Sequence, residues 1–377
     1  MINFDNAATT GRKPESVVNA VRSAMYNLSA NPGRGGHDLS LKAGEAVYAA
    51  REKIADFFGA SGGERVVFTA NCTAAINYVL KGCLKKEDHI VISDLEHNAV
   101  VRPLAKTGVE TSIAEVSLES NEKTVDNFEK LIKDNTKMVF CTAASNVCGR
   151  ALPLTELGEL CKRKGIAFGV DAAQMAGVLP IDMKKQDIDF LCVAPHKGLY
   201  APMGLGVLIA ETDIGDTLIE GGTGTNSDSL YQPENMPERY ESGTVNVPAI
   251  MGTSAGIDFV KGNLRSNYLR EMRIIRQVYD AFYKMPHIKL YTPYMADNMY
   301  LPVLSFNVAG VPSETVAEYL NRNGIAVRAG LHCAPAAHRK LKTDSTGTVR
   351  IAPGIFTTGA QADYLIKAIN NYKYTKK

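Results

Sequence analysis

Lys197 stands in the stretch Asp189-Phe-Leu-Cys-Val-Ala-Pro-His-Lys-Gly198, where a short apolar run meets Pro195 and His-Lys-Gly follows at once. A strand that delivers a lysine beside a histidine and a glycine suits an amine that condenses with an aldehyde. Taken alone, the stretch equally suits a surface lysine after a buried strand. Its meaning therefore rests on what the other strand ends carry: Thr69-Ala-Asn-Cys-Thr73, Glu96-His97, Ser145-Asn146, and Asp171 with Gln174.

In open parallel sheets, ligands bind outside the carboxyl ends of the strands. The groups gathered there match the needs of pyridoxal 5′-phosphate, which takes an amine for its aldehyde, an anion for its ring nitrogen, a donor for its phenolate oxygen and an anchor for its phosphate. Asp171 suits the ring nitrogen, although it also suits the cap of a helix beginning at Ala172. Gln174, one turn on, suits the phenolate oxygen. Asn146 suits that oxygen or a substrate carboxylate, or simply a turn before Gly149. Residues 69–73 open a helix directly after a strand, where free amides and the helix dipole favour a phosphate and Thr73 adds a hydroxyl. His97 suits a ring-stacking and proton-transfer role, or a structural one.

A second stretch, Val327-Arg-Ala-Gly-Leu-His-Cys-Ala-Pro335, sets Cys333 in a loop beside His332 and near Arg328. An electropositive setting raises the thiolate fraction of a cysteine, so Cys333 is a candidate nucleophile and the other six cysteines are read as packing residues. Arg350, in the strand-like Thr348-Val-Arg-Ile351, suits a bidentate grip on a substrate carboxylate or a surface ion pair.

These residues need a scaffold of alternating strands and helices. Strand patterns fall at 65–69, 89–93, 137–141, 166–170, 190–193 and 205–210, with helical spacing at 74–80 and 157–163 and from Ser40, which reads as its cap. Short, continuous apolar strands predict an α/β fold with a mostly parallel sheet covered by helices. A single long helical stretch is expected over about 249–285, then shorter strands at 304–308, 325–327 and 348–351. The expected division is a large domain, 16–258, and a smaller α+β domain made of 1–15 and 259–377. Gly33-Arg-Gly-Gly-His37 reads as a flexible loop.

With 377 residues, 45% hydrophobic and 22% charged, the chain has the profile of a globular protein with room for two cores. A net charge of +2 without a dense basic tract gives nucleic-acid binding no support. No apolar run approaches membrane-spanning length and no secretory leader is visible, so a cytoplasmic location is expected. Seven scattered cysteines without a Cys-x-x-Cys pair argue against a disulfide framework or a metal site.

Together these stretches resemble the class V aminotransferase fold, the fold-type I pyridoxal-phosphate enzymes, and within it the cysteine desulfurase/selenocysteine lyase family. Asp5-Asn-Ala-Ala-Thr-Thr10 resembles the family's N-terminal signature, and Thr69-Ala-Asn-Cys-Thr-Ala-Ala-Ile-Asn77 its phosphate turn. Glu96-His-Asn98, Ser145-Asn-Val-Cys-Gly149, Val170-Asp-Ala-Ala-Gln174 and His196-Lys197 are similar to its ring-binding motifs in the same order. Glu241-Ser-Gly-Thr-Val-Asn246 and Arg328-Ala-Gly-Leu-His-Cys-Ala334 resemble its cross-subunit phosphate segment and catalytic-cysteine loop.

The resemblance implies Lys197 as Schiff-base lysine, Cys333 as sulfur acceptor and His97 as the stacking histidine. It places Asp171, Gln174 and Asn146 at the ring, and Cys72, Thr73, His196 and a partner protomer's Thr244 at the phosphate. Arg350, with Arg328 and Asn146 beside it, would meet the substrate, and His37 would enter from the neighbouring subunit of a homodimer. Three departures stand out: Ala194 where a serine is frequent, Asn71 and Cys72 in the phosphate turn where Gly and Thr are common, and Leu331 where a second histidine is frequent. The implied reaction is desulfuration of L-cysteine, with transfer to a sulfur or selenium acceptor protein. A selenocysteine lyase acting on L-selenocysteine, an aminotransferase, and a non-catalytic sulfur carrier are the alternatives.

Overall fold

The computed structural model describes residues 1–33 and 35–372. Arg34, in the loop expected to be flexible, and residues 373–377, at the end of the expected smaller domain, lie outside the described residues. In chain order, β1 (Ile2–Asn3), α1 (Glu15–Asn27) and α2 (Asp38–Phe58) lead into an alternating series. That series runs β2 (Val66–Thr69), α3 (Cys72–Cys83), β3 (His89–Ser93), α4 (Asn98–Thr107), β4 (Glu110–Ala114) and α5 (Asn121–Glu129). It continues through β5 (Thr136–Thr142), α6 (Leu154–Lys164), β6 (Ala167–Asp171), β7 (Phe190–Val193) and β8 (Gly206–Ala210). Helices α7 (Val247–Lys261) and α8 (Leu264–Tyr283) follow, then β9 (Ile288–Leu290), β10 (Leu304–Val308), α9 (Ser313–Arg322), β11 (Ile325–Ala326) and β12 (Arg328–Gly330). The last elements are α10 (Pro335–Lys340), β13 (Thr348–Ile351) and α11 (Gly359–Asn370).

The large sheet has seven strands in the order β2-β8-β7-β6-β5-β3-β4. All neighbours are parallel except β8, which runs antiparallel to both β2 and β7. Strands β2, β3, β7 and β8 are buried at every residue, because helices cover both faces. Full burial of a Val, Leu or Ile side chain stabilises by about 1.5–3 kcal/mol, so these continuous apolar runs hold the strand ends in fixed register. A second sheet, β12-β13-β10-β9, is antiparallel. The N-terminal residues join this end of the chain: Ile2 and Asn3 pair parallel with Ile325 and Ala326, and Asp5 bridges to Ala352.

Four local expectations are corrected. The stretch read as one helix over 249–285 is two, broken at Gly262 and Asn263, because Asn263 leaves helical geometry there. Helix α2 begins at Asp38, and its cap is His37, whose side chain accepts the Ser40 amide; Ser40 itself is buried in the first turn. No helix follows Asp171; residues 173–178 form a turn, which lets the chain fold back under Lys197. Strand β4 was not anticipated, since Glu110-Thr-Ser-Ile-Ala114 is an exposed edge without an apolar run. Among the described residues no helix is long and apolar enough to cross a membrane.

Candidate active site

The pocket lies at the carboxyl ends of β2, β3, β5, β6 and β7. It is lined by Asn71, Cys72, Thr73, His97, Thr142, Asn146, Asp171, Gln174, Ala194, His196 and Lys197 among others. The sequence-predicted side chains from distant strands therefore share one cavity. Five do not line it within one chain: His37, Thr244, Arg328, Arg350 and Cys333. His37 and Thr244 are exposed, one capping α2 and the other accepting from Asn31 Nδ2 at 3.3 Å. Arg328 meets the thiol of the cysteine loop instead.

Lys197 sits on a turn that closes with Lys197 N–H donating to Ala194 O at 3.1 Å and Tyr200 N–H donating to Lys197 O at 3.0 Å. The next residue must be glycine, since a Cβ on Gly198 would lie 2.3 Å from Ala176 O. That close approach locks the lysine turn against the turn after β6. Loss of solvation in the pocket lowers the Lys197 pKa; Asp171 opposes the shift, while the charges of Arg350 and Arg328 add to it.

Asp171 is buried at the end of β6, where its Oδ1 accepts Ala173 N–H at 2.9 Å and lies 3.8 Å from Cys72 Sγ. The Cys72 thiol is pushed up first by desolvation and then by Asp171, so it stays protonated and donates. Gln174 Nε2 donates to Ala7 O at 3.1 Å, which leaves its second N–H and its carbonyl oxygen open. His97 caps α4, with Nδ1 accepting Ala99 N–H at 3.0 Å. Its neutral ring therefore carries the proton on Nε2, and burial lowers its pKa.

At the start of α3, Asn71 rather than Thr73 is the cap, its Oδ1 accepting Ala74 N–H at 2.9 Å. The preceding amides of Cys72 and Thr73 have no acceptor inside the helix. The turn presses on β8, where a Cβ on Gly206 would fall 2.2 Å from the Asn71 carbonyl carbon. His196 closes the opposite side: Nδ1 lies 3.0 Å from Thr9 Oγ1, and burial followed by the nearby Lys197 and Lys13 charges brings its pKa down to about 4. It is therefore neutral near pH 7.

Sequence reasoning missed two residues here. Lys13 donates to Thr10 Oγ1 at 2.7 Å and to His196 O at 3.1 Å, and burial lowers its pKa to about 8. Asp5 accepts from Arg350 Nη2 at 2.9 Å. Asp5 opens the Asp5–Thr10 signature and Lys13 lies just beyond it, the signal that pointed to them. Arg350 is 1% exposed; its Nη1 donates to Asn146 O at 2.9 Å and its Nε has no partner among the described residues.

The Cys333 loop closes the rim. His332 and Cys333 both adopt left-handed backbone, φ 49° and 59°, a conformation that costs a non-glycine residue of order 1–3 kcal/mol. Two bonds from the large-sheet side hold it: Asn146 Nδ2 donates to His332 O at 2.7 Å, and Asn98 N–H donates to Cys333 O at 2.7 Å. The Cys333 side is exposed, with Arg328 Nη2 3.7 Å from Sγ. Buried His332 approaches Thr348 O at 3.1 Å through Nε2, and desolvation lowers its pKa to about 2. It is a neutral brace rather than an acid.

The residues fit pyridoxal 5′-phosphate. A desolvated amine on Lys197 and a carboxylate on Asp171 face one cavity, and α3 begins there with two open amides. The fold and the site define a fold-type I pyridoxal-phosphate enzyme scaffold carrying a thiol loop at its rim. The aminotransferase class-V family model matches residues 2–365. The chain is 33% identical to a cysteine desulfurase from Synechococcus elongatus over 98% of its length, spanning 60% of that relative's length. A Haloferax volcanii cysteine desulfurase is 31% identical over 98% of this chain and 89% of its own. The solved apo structure of the cysteine desulfurase from Thermococcus onnurineus superposes with a TM-score of 0.89 at 32% identity, covering 98% of this chain and 93% of that one. The chain belongs to the class-V aminotransferase family, in its cysteine desulfurase branch.

Proposed function

We propose that the chain is a cysteine desulfurase that takes the sulfur of L-cysteine, leaves it as a persulfide on Cys333 and releases L-alanine. One observation carries this reading: an exposed thiol, 3.7 Å from Arg328 Nη2, on a loop tied by hydrogen bonds to the wall of the lysine pocket. An aminotransferase has no use for that thiol.

When bound, pyridoxal 5′-phosphate supplies an aldehyde for the substrate amine and a ring that takes up the electron pair left at the substrate Cα. Asp171 would hold the ring-nitrogen proton, with Ala173 N–H fixing its other contact. Cys72, Thr73 and His196 would hold the phosphate, and the His97 ring would lie along the cofactor face. Gln174 and Asn146 would meet the ring oxygen side. The lowered pKa of Lys197 enlarges its neutral fraction, which suits it to lift the Cα proton and return it. Arg350 would take the substrate carboxylate, its open Nε giving a first donor.

The Cys333 thiolate attacks the substrate sulfur. A sulfur–sulfur bond forms as the substrate Cβ–S bond breaks, the electron pair goes to Cβ, and a proton completes the methyl of alanine. Cysteine plus the enzyme thiol gives alanine plus the enzyme persulfide, with no outside oxidant. Arg328 stabilises the attacking anion.

We infer a homodimer in which His37 and Thr244 of each protomer serve the other's pocket, since neither reaches its own. Exposed Met25, Tyr26, Leu41, Tyr48 and Leu230, the last at 98%, support such an interface. An acceptor protein would collect sulfur from exposed Cys333. Residues 16–258 would form the large domain and 1–15 with 259–377 the small one. The absence of a membrane-spanning helix among the described residues accords with a cytoplasmic enzyme. The test is Cys333→Ala with both L-cysteine and L-selenocysteine. Loss of both alanine production and sulfide release from L-cysteine supports the reading, and full retention overturns it. Retention with selenocysteine alone assigns the lyase reaction, whose better leaving group needs no thiol.

A further inference from the structure

A second cavity lies behind the lysine turn. It is lined by Asn6, Ala7, Gln174, Gly177, Lys197 and Tyr200 on one side and by Asn267, Tyr268, Glu271, Val303 and Ala352 on the other. Lys197 and Gln174 line both this cavity and the candidate active site. The wall is mainly apolar or aromatic, with one carboxyl.

That carboxyl is Glu271, on α8, 7% exposed and without a hydrogen bond or ion pair among the described residues. Burial raises its pKa to about 8, opposed only by Arg270 on the same helix. A buried acid left in this state costs stability unless something pairs with it. None of the polar groups on this wall bonds to it, Lys197, Tyr200 and Asn267 included. Tyr268 Oη donates to Tyr300 O at 2.9 Å and accepts Asn298 N–H at 2.8 Å. Asn6 gives its amide to Asn3 O and Ala352 O, while its Oδ1 accepts from Asn3 Nδ2 and Gly11 N–H. Gln174 Nε2 gives one of its two N–H groups to Ala7 O.

Once ionised, the carboxyl therefore leaves room for a cation from solution. A bare metal ion needs about six oxygen ligands, and with Asn6 and Tyr268 committed, the side chains of Glu271, Gln174 and Asn267 offer fewer. A cation that carries its own apolar groups needs one carboxylate and apolar or aromatic walls, which Tyr200, Tyr268, Ala7, Val303 and Ala352 provide. We propose that this cavity is a binding site for a small organic ammonium ion, paired with Glu271 and seated against the back of the lysine turn. Occupancy would brace the turn that carries Lys197 against α8 and the chain at 352–354. This site is separate from the desulfurase reaction, and its failure would leave that reading untouched.

The probe is tetramethylammonium chloride, which has no N–H and so cannot condense with an aldehyde. It is titrated into the cofactor-loaded enzyme by calorimetry at about pH 8.5, where a carboxyl of this pKa is mostly ionised, with sodium and potassium chloride at matched ionic strength as controls. The expected result is saturable binding of one ion per chain, weakened about tenfold or more in Glu271→Gln and absent for both metal chlorides. Glu271→Leu, which removes the carboxyl outright, should abolish binding while raising the unfolding temperature of the ligand-free protein. No binding to the wild type, equal binding to Glu271→Gln, or the same Glu271-dependent response to sodium or potassium would overturn the proposal.

Discussion

Asn146 holds the backbone of the cysteine loop: its Nδ2 donates to His332 O at 2.7 Å, while its own carbonyl accepts from Arg350 Nη1 at 2.9 Å. One residue thus joins the end of β5, the strand carrying Arg350 and the left-handed pair His332–Cys333. Asn146→Ala removes the side-chain bond and leaves the backbone bond to Arg350. The expected outcome is persulfide formation slowed by about tenfold to a hundredfold, the cost of a misplaced nucleophile, with the cofactor still bound. Single-turnover labelling of Cys333, beside cofactor content, checks it. An unchanged labelling rate would remove Asn146 from thiol positioning.

Asp5→Ala breaks the pair with Arg350, whose side chain is 1% exposed. Removing one partner of a buried ion pair costs about 3–5 kcal/mol because the remaining charge is uncompensated. Asp5 keeps 27% of its exposure, so a loss nearer 2 kcal/mol is expected, measured by urea unfolding.

Glu96 supplies a pH test. It is fully buried, accepts from Ser93 Oγ and from Thr142 N–H, the latter at 2.9 Å, and leaves Oε2 without a partner among the described residues. Burial raises its pKa to about 8, against the hydrogen bonds from Ser93 and Thr142. Between the ordinary carboxyl value and about 8 the folded state holds a proton that the unfolded state has released. The contribution of Glu96 to stability therefore falls as pH rises through that window. Glu96→Gln, which fixes the neutral form, should flatten the decline and raise the unfolding temperature at about pH 9 by about 2 °C or more. Parallel pH profiles for the two proteins would contradict the assignment.

Gly206→Ala places a methyl against the Asn71 backbone. Since the two nearest contacts, the Asn71 carbonyl carbon and oxygen, are main chain, the start of α3 must shift. The expected effect is cofactor affinity lowered about tenfold or more, read by titration of the apo protein, with an overpacking cost of about 1–3 kcal/mol in stability.

Much of this was legible in the sequence, for physical reasons that differ by residue. Lys197, Asp171 and Asn146 each follow a short apolar strand, so the strand-end rule located them without knowing the strand order. The antiparallel course of β8 was not legible, because a strand buried on both faces has the same composition in either direction. Edge strand β4 lacks an apolar face to read. His37 was expected to serve a neighbouring site and is also the cap of α2, a role written in one local bond to Ser40. Asp5 and Lys13 could not be assigned partners, since Arg350 and His196 lie far along the chain and only the closed fold brings them together.

The most direct test of the central claim is the mass of the Cys333 peptide after the cofactor-loaded protein meets L-cysteine without reductant. The account predicts one added sulfur atom on Cys333, removed by a thiol reductant, with one alanine formed per sulfur transferred. Alanine and sulfide produced at the wild-type rate by Cys333→Ala, with no sulfur gained at Cys333 in the native protein, would contradict it.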